Sequence, residues 1–151
     1  MKIELRTVDE GNRTDVESLE VSESQRQYIA SNEKSIKTAL SEEHKEVARP
    51  FAIYADDRLV GFTMFAFDLE SPDPDDRYWL WRFMIDRRLQ GKGYGSAALE
   101  KIIEYFRNHL ASHILLSTKE SNKTALSLYH KYHFRETGEM NGEETVLRLN
   151  L

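Results

Sequence analysis

The sequence predicts an α/β (α+β) fold, with a mixed central sheet of about six to seven strands flanked by helices. Three observations carry this expectation. First, Tyr78 to Asp86 is an aromatic and aliphatic run of strand length. It leads through a turn, Arg87 to Gly95, into Ser96 to Leu110, where Ala98, Leu99, Ile102, Ile103, Phe106 and Leu110 recur at helical spacing. Second, His113 to Thr118 is a short apolar run that would lie parallel to the first strand if the helix is a crossover. Third, both halves of the chain contain alternating runs joined by short turns, the pattern of antiparallel hairpins.

The remaining elements follow in order. Lys2 to Val8 alternates with period two and reads as a strand. Asp9 to about His44 is mixed and helix-prone, with Ser22, Ser31 and Asn32 as candidate caps. Phe51 to Tyr54, Asp56-Asp57 and Leu59 to Phe67 form a hairpin pattern. Residues 68–77 read as a loop, with two prolines breaking regular structure. Ser121 to Tyr132 is a second helix capped by Ser121 or Asn122. Phe134 to Glu139 and Thr145 to Leu149 close the chain as a hairpin turning at Asn141-Gly142.

Length and composition narrow the classes of function. The 151 residues suffice for a single domain, 1–151, with a sizeable core, and 40% apolar content with two Trp, seven Tyr and seven Phe indicates a globular chain. No apolar run approaches the length of a membrane span, and Met1-Lys2-Ile3-Glu4 lacks the character of a signal peptide. Without cysteine there is no disulfide and no thiol nucleophile, which fits the reducing cytoplasm. A net charge of −5 argues against nucleic acid as the main partner.

The turn carries glycine at three alternate positions: 91, 93 and 95. Its amides, from Gly91 to Ser96, open a helix, where unpaired N–H groups and the macrodipole favour an anion. A Walker A reading fails, because Lys92 is followed by Gly93 and not by Ser or Thr. Gly93-x-Gly95-x-x-Ala98 fits the loose dinucleotide form, but the chain after Ala98 is too short for the rest of a doubly wound sheet. A strand-to-helix turn without a ligand remains an alternative at this point.

Gln90-x-x-Gly93-x-Gly95, after a strand and opening a helix, resembles the acetyl-CoA signature of the GNAT family of N-acetyltransferases. Asn122-x-x-Ala125-x-x-Leu128-Tyr129-x-x-Tyr132-x-Phe134 resembles the downstream motif of the same family, with His133 where glycine is common. Ser22-x-x-Gln25-x-x-Tyr28-Ile29-Ala30-x-Asn32-x-x-Ser35, Ala52-Ile53-Tyr54, Leu59-Val60-Gly61-Phe62, Trp79-Leu80-x-Arg82-Phe83-x-Ile85-Asp86 and Gly138-Glu139 are similar to bacterial spermine/spermidine acetyltransferases. The pattern departs at Trp81, where an acidic residue is expected.

The resemblance implies acetyl-CoA as co-substrate and a small-molecule primary amine, most readily a polyamine, as acceptor. Protein or antibiotic amines, and a non-catalytic acetyl-CoA-binding regulatory module, are the alternatives. A homodimer is compatible with the resemblance. By the same resemblance, Phe83, Met84 and Ile85 supply main-chain hydrogen bonds to pantetheine. Gly91, Lys92, Gly93, Tyr94, Gly95 and Ser96 hold the pyrophosphate, with Gln90 beside them. Asn122, Lys123, Thr124 and Ala125 bind the pantetheine arm or adenosine side, and Tyr129 gives its proton to the leaving thiolate.

The acceptor side rests on composition. An alkylammonium of pKa about 10.4 must lose a proton before it attacks. With Trp81 in place of an acid, a water relay to Glu70 is the expected route. Trp79 and Trp81 either wall the amine site or pack in the core, the second being the commoner role. Between Asp68 and Asp76 there are five carboxylates and no cation. Glu70, Asp73, Asp75 and Asp76 are therefore expected to hold distal ammonium groups, against the alternative of an ordinary solvated loop. No metal site is expected: His109/His113 and His130/His133 read as solvated, and residues 42–46 read as a solvated helical face.

Overall fold

The computed structural model describes residues 1–151. Seven strands form one sheet: β1 (Ile3–Thr7), β2 (Ala48–Ala55), β3 (Arg58–Phe67), β4 (Tyr78–Ile85), β5 (His113–Thr118), β6 (Arg135–Asn141) and β7 (Glu144–Asn150). The helices are α1 (Arg13–Ser18), α2 (Asn32–Leu40), α3 (Tyr94–Asn108) and α4 (Lys123–Lys131). Strand order is β1-β2-β3-β4-β5-β7-β6, with β4 and β5 parallel and every other pair antiparallel. The expected mixed sheet flanked by helices is what forms.

Alternation along the strands sorts the core onto two faces. On β3, Phe62 and Met64 pack with Val16, Ile36 and Ala39 of α1 and α2, while Phe65 and Phe67 pack with Leu99, Ile102 and Phe106 of α3. A strand covered on both faces reads as a continuous apolar run, which is why Leu59 to Phe67 stands out in the sequence. Each large apolar side chain so enclosed contributes about 1.5–3 kcal/mol.

Two irregularities shape the middle of the sheet. Met64 pairs with Arg82 and Phe65 with Leu80, so Trp81 is an extra residue without a partner, a β-bulge. Trp81 packs against the α1/α2 core, and the Arg82 Nε donates to Ser35 Oγ of α2 at 3.2 Å, so both neighbours turn to one face. The second irregularity is the contact between β4 and β5. Trp79–Leu115 is their only residue pair in register, whereas β4 follows β3 from Tyr78 to Ile85. Beyond Trp79 the two parallel strands part.

The helix ends explain several departures from expectation. Ser31, not Asn32, caps α2, its side chain accepting from the Lys34 N–H. Asn32 is buried and donates to the Val16 carbonyl at 2.9 Å. Ser22 closes a capping box with Gln25 over a single 3₁₀ turn. Neither Ser121 nor Asn122 caps α4 through its side chain. The last hairpin turns at Gly142-Glu143, with only Gly142 at positive φ (60°), one residue later than expected. The acidic loop contains a 3₁₀ turn, Pro74–Asp76, because Asp73 accepts from the Asp75 N–H and proline suits a first helical position. Residues 42–46 form turns, not a helix, and His113 is buried between Ser112 Oγ and the Asp75 carbonyl, not solvated.

Helix α3 starts two residues earlier than expected, with Gly93 as its N-cap at φ 89°. An L side chain in that left-handed conformation costs about 1–2 kcal/mol. Gly95 differs: its φ is ordinary, and an added Cβ would meet only Leu128 Cδ2 at 3.9 Å and Ile85 Cγ1 at 4.0 Å. Urea denaturation should therefore show Gly93→Ala less stable by about 1–2 kcal/mol. Gly95→Ala should be unchanged or up to about 1 kcal/mol more stable, as alanine is the better helix former. Equal losses in both variants would refute this local account.

Candidate active site

The parting of β4 and β5 opens a cleft of about 1000 Å³. One wall is β4 from Trp79 to Ile85, the other β5 from Leu116 to Thr118, and the cleft continues between the N-termini of α3 and α4. Backbone parity shows which groups of β4 face it. The Asp86 N–H donates to the Val60 carbonyl on the β3 side at 2.8 Å, so Met84 and Arg82 also direct their main chain toward β3. Phe83 and Ile85 then direct theirs into the gap. The Ile85 carbonyl is taken by Gln90 Nε2 at 2.9 Å.

At one end of the cleft stands the glycine turn. Gln90, Gly91, Gly93, Gly95 and Ser96 line it, as do Asn122, Thr124 and Ala125 across from them. Lys92, Tyr94 and Lys123 are not among the lining residues. At Gly91 and Gly93 an added Cβ would enter open space with nothing within 4 Å. The free amides of the first helical turn face the same region. Gln90 acts inward: besides Ile85, its amide reaches Gln25 Oε1 at 2.9 Å, tying the segment before α2 to the turn. Asn122 Nδ2 donates to Thr118 Oγ1 at 3.1 Å, which anchors the start of α4 to the end of β5.

Asp86 fixes the turn from below. Its side chain is 2% exposed and accepts from the Glu20 N–H at 3.0 Å and from Arg88 Nε at 2.9 Å. Burial opposes its ionisation, but the Glu20 amide and Arg88 outweigh that and hold the carboxyl below its usual range.

Tyr129 lines the cleft on the α3/α4 side of the sheet. Its position follows from the way α4 ends. His133 takes φ 74°, and the Phe134 N–H returns to the Tyr129 carbonyl at 3.0 Å, a Schellman closure. That conformation suits glycine best, which accounts for the residue commonly found at this place in the resembling motif. The buried Phe134 ring packs 5.6 Å from the Tyr129 ring. Burial pushes the Tyr129 phenol well above its usual pKa, so it stays protonated.

The opposite face of the gap carries Trp79, Trp81, Arg82, Ser117 and Glu144, with Asp68 and Asp76 at the far end. Asp76 accepts from Trp79 Nε1 at 2.9 Å. Trp81 does both things considered for it, packing on the α1/α2 core and lining the cleft, with the His44 ring 5.1 Å away. Glu70, Asp73 and Asp75 do not line the cleft. Asp73 is engaged in its local turn, and Asp75 meets Arg148 Nη1 at 3.2 Å. Asp68, His44, Arg82 and Glu144 were not legible as site residues. Asp68 sat unremarked within the acidic run, and nothing local marks His44 or Glu144. Gln25, Tyr28 and Arg82 stood in the resembling pattern without a role. Tyr28 now spans the cleft mouth, its hydroxyl 3.0 Å from Ser121 Oγ.

Comparison with known proteins identifies the family. The sequence profile of the Acetyltransferase (GNAT) family matches residues 15–134. The chain is 33% identical to the spermine/spermidine N(1)-acetyltransferase of Bacillus subtilis (strain 168), over 98% of this chain and 99% of that protein. Its fold is similar to that of spermidine N-acetyltransferase from Vibrio cholerae in complex with CoA and spermine, with TM-score 0.71 and 20% identity over 99% of this chain and 94% of the other. It is similar also to PaiA N-acetyltransferase from Thermoplasma acidophilum in complex with coenzyme A, with TM-score 0.69 and 18% identity over the whole of both chains. The chain belongs to the GNAT family and is an N-acetyltransferase.

Proposed function

We propose that this acetyltransferase moves acetyl from acetyl-CoA to a primary amine of a polyamine such as spermine or spermidine, by direct transfer with Tyr129 as general acid. The observation that carries the reading is the single cleft running from the glycine turn, past Tyr129, to Asp68 and Asp76. One end suits a pyrophosphate and the other a cationic chain. The similarity to a spermine/spermidine acetyltransferase over nearly the whole chain supports the choice of acceptor.

The residues present fit acetyl-CoA as co-substrate. The first-turn amides of α3 and the open space at Gly91 and Gly93 suit its pyrophosphate. The backbone of Phe83 and Ile85 offers hydrogen bonds to an extended amide-bearing arm, as an added strand would. The same N–H groups are placed to stabilise an oxygen that gains charge as the thioester is attacked. Tyr129 lines the cleft and keeps its proton, which it would give to a departing thiolate. The environment that raises the phenol's pKa raises that of a neighbouring thiol as well, so burial does not by itself reverse the order of the two acids. Trp79 and Trp81 give the acceptor's methylene chain an aromatic wall.

Three outcomes test this reading. Tyr129→Phe should lower kcat by about 10²- to 10⁴-fold, with the Kd for acetyl-CoA little changed, because only the hydroxyl is lost. Since burial raises the phenol's pKa, the wild-type rate should show no alkaline fall up to about pH 10. Steady-state kinetics and calorimetry check both statements, and a loss below about threefold contradicts the role. For the acceptor, Asp68→Asn/Asp76→Asn removes two carboxylates, one half-buried and one exposed, each worth about 0.2–1 kcal/mol to a solvated cation. The kcat/KM for spermine should fall by about twofold to thirtyfold. It should fall less for a short monoamine, and the difference should shrink as salt rises. An equal, salt-insensitive loss for both amines contradicts the selection of polycations by this end of the cleft.

A further inference from the structure

Trp81 leaves β4 without a carboxylate at its bulge, so the proton of the attacking ammonium must go elsewhere. Of the carboxylates lining the cleft, Asp68 and Asp76 stand at the end where β4 and β5 are still joined at Trp79–Leu115. Asp76 is also engaged by the Trp79 indole. The third is Glu144, the first residue of β7, next to the part of the gap where the strands have separated. Register puts it on the acceptor side. Ile114 and Leu116 of β5 pack into the α3 core, so Ser117 points to the opposite face. The Ser117 Oγ donates to Glu144 Oε1 at 2.8 Å. Asn141 Nδ2 in turn donates to Ser117 Oγ at 3.3 Å, so a short polar chain from β5 and β6 fixes one carboxylate oxygen. The other oxygen has no hydrogen-bond partner within the protein, and the side chain is only half-buried.

We propose that Glu144 is the general base: it takes one proton from the substrate ammonium, directly or through one water. The assignment rests on the reading of the cleft as an amine-acetylating site with Tyr129 as acid. The proton balance then closes. The first ammonium proton passes to Glu144 and on to solvent. The free amine forms the C–N bond as the C–S bond breaks, and Tyr129 protonates the departing sulfur. The second proton lost from nitrogen, as the amide forms, restores the phenol. Base and acid therefore stand on opposite faces of the sheet, with the gap between β4 and β5 joining them.

Beside Glu144 the strand ends carry the exposed pair Lys119 Nζ–Glu143 Oε2 at 3.8 Å, and Arg26 and Lys34 also line the cleft. Arg82 approaches from β4, and the Glu144 carboxylate partly offsets the lowering that burial imposes on its guanidinium. Ser117 and Asn141 approach from β5 and β6, and neither titrates in this range. His44, beside Trp81, is the one imidazole lining the cleft. It is the rival base that the experiment must separate.

Glu144→Gln keeps an acceptor for Ser117 but cannot accept a proton from an ammonium. Its kcat with spermine at pH 7 should fall by about 10²- to 10⁴-fold. Where the wild-type rate reaches a plateau with pH, the variant's rate should keep rising by about tenfold per pH unit, as bulk deprotonation replaces the base. The thermal midpoint and the calorimetric Kd for acetyl-CoA should match those of the wild type. A loss below about threefold, a uniform loss with an unchanged pH profile, or a lost acetyl-CoA affinity overturns the assignment. So does a lower limb that survives Glu144→Gln and disappears in His44→Gln. A wild type that acetylates neither spermine, spermidine nor a monoamine overturns the underlying reading, and Glu144's role with it.

Discussion

The structure depends on a failure of pairing. Two parallel strands at the centre of a seven-stranded sheet meet at Trp79–Leu115 and then separate. Backbone N–H and C=O groups inside a protein require partners, and an open strand edge is unfavourable unless something fills it. Here the bulge at Trp81 helps to hold the edge open, and the ends of β4 and β5 are anchored apart. Gln90 satisfies the Ile85 carbonyl, and Asn122 bonds the end of β5. What stays unpaired, chiefly the backbone of Phe83, is a template for an extended molecule. The same gap places two helix N-termini at one end and acidic side chains at the other.

The gap also separates two chemical environments. Tyr129 is enclosed on the α3/α4 side, among Phe134, Leu126 and the core, where ionisation is disfavoured and a phenol keeps its proton. The opposite side of the gap is more polar, with Arg82, Ser117 and Glu144 half-buried along it. Acid–base chemistry at one pH needs groups whose surroundings push their proton affinities apart. Under the proposed acid and base, a sheet that divides a buried face from a half-buried one supplies that difference through its architecture.

Much of this was legible in the chain because local rules and global structure agree. The alternation around Asp56-Asp57 marks a hairpin, and both aspartates take the positive φ that such a turn demands. The apolar stripe of α3 and the spacing of Asn122, Ala125 and Tyr129 put the right residues on the right faces. What escaped the sequence is what depends on long-range register. A bulge changes which β4 side chains share a face, and no composition marks Trp81 as the extra residue. Glu144 reaches the site only because β7 inserts beside β5, pairing Thr145 with Thr118. The acidic run misled by composition: its members share a loop, yet Asp75 turns to Arg148 and only Asp68 and Asp76 reach the cleft.

A crystal structure with CoA tests the central claim most directly. The account predicts an extended pantetheine arm in the gap between β4 and β5, hydrogen-bonded to the main chain of Phe83 and Ile85 and not to that of Met84. The pyrophosphate should lie on the amides of Gly91 to Ser96, with the sulfur within hydrogen-bonding reach of the Tyr129 hydroxyl. A CoA molecule bound with β4 and β5 closed against each other, or with its sulfur away from Tyr129, would contradict it.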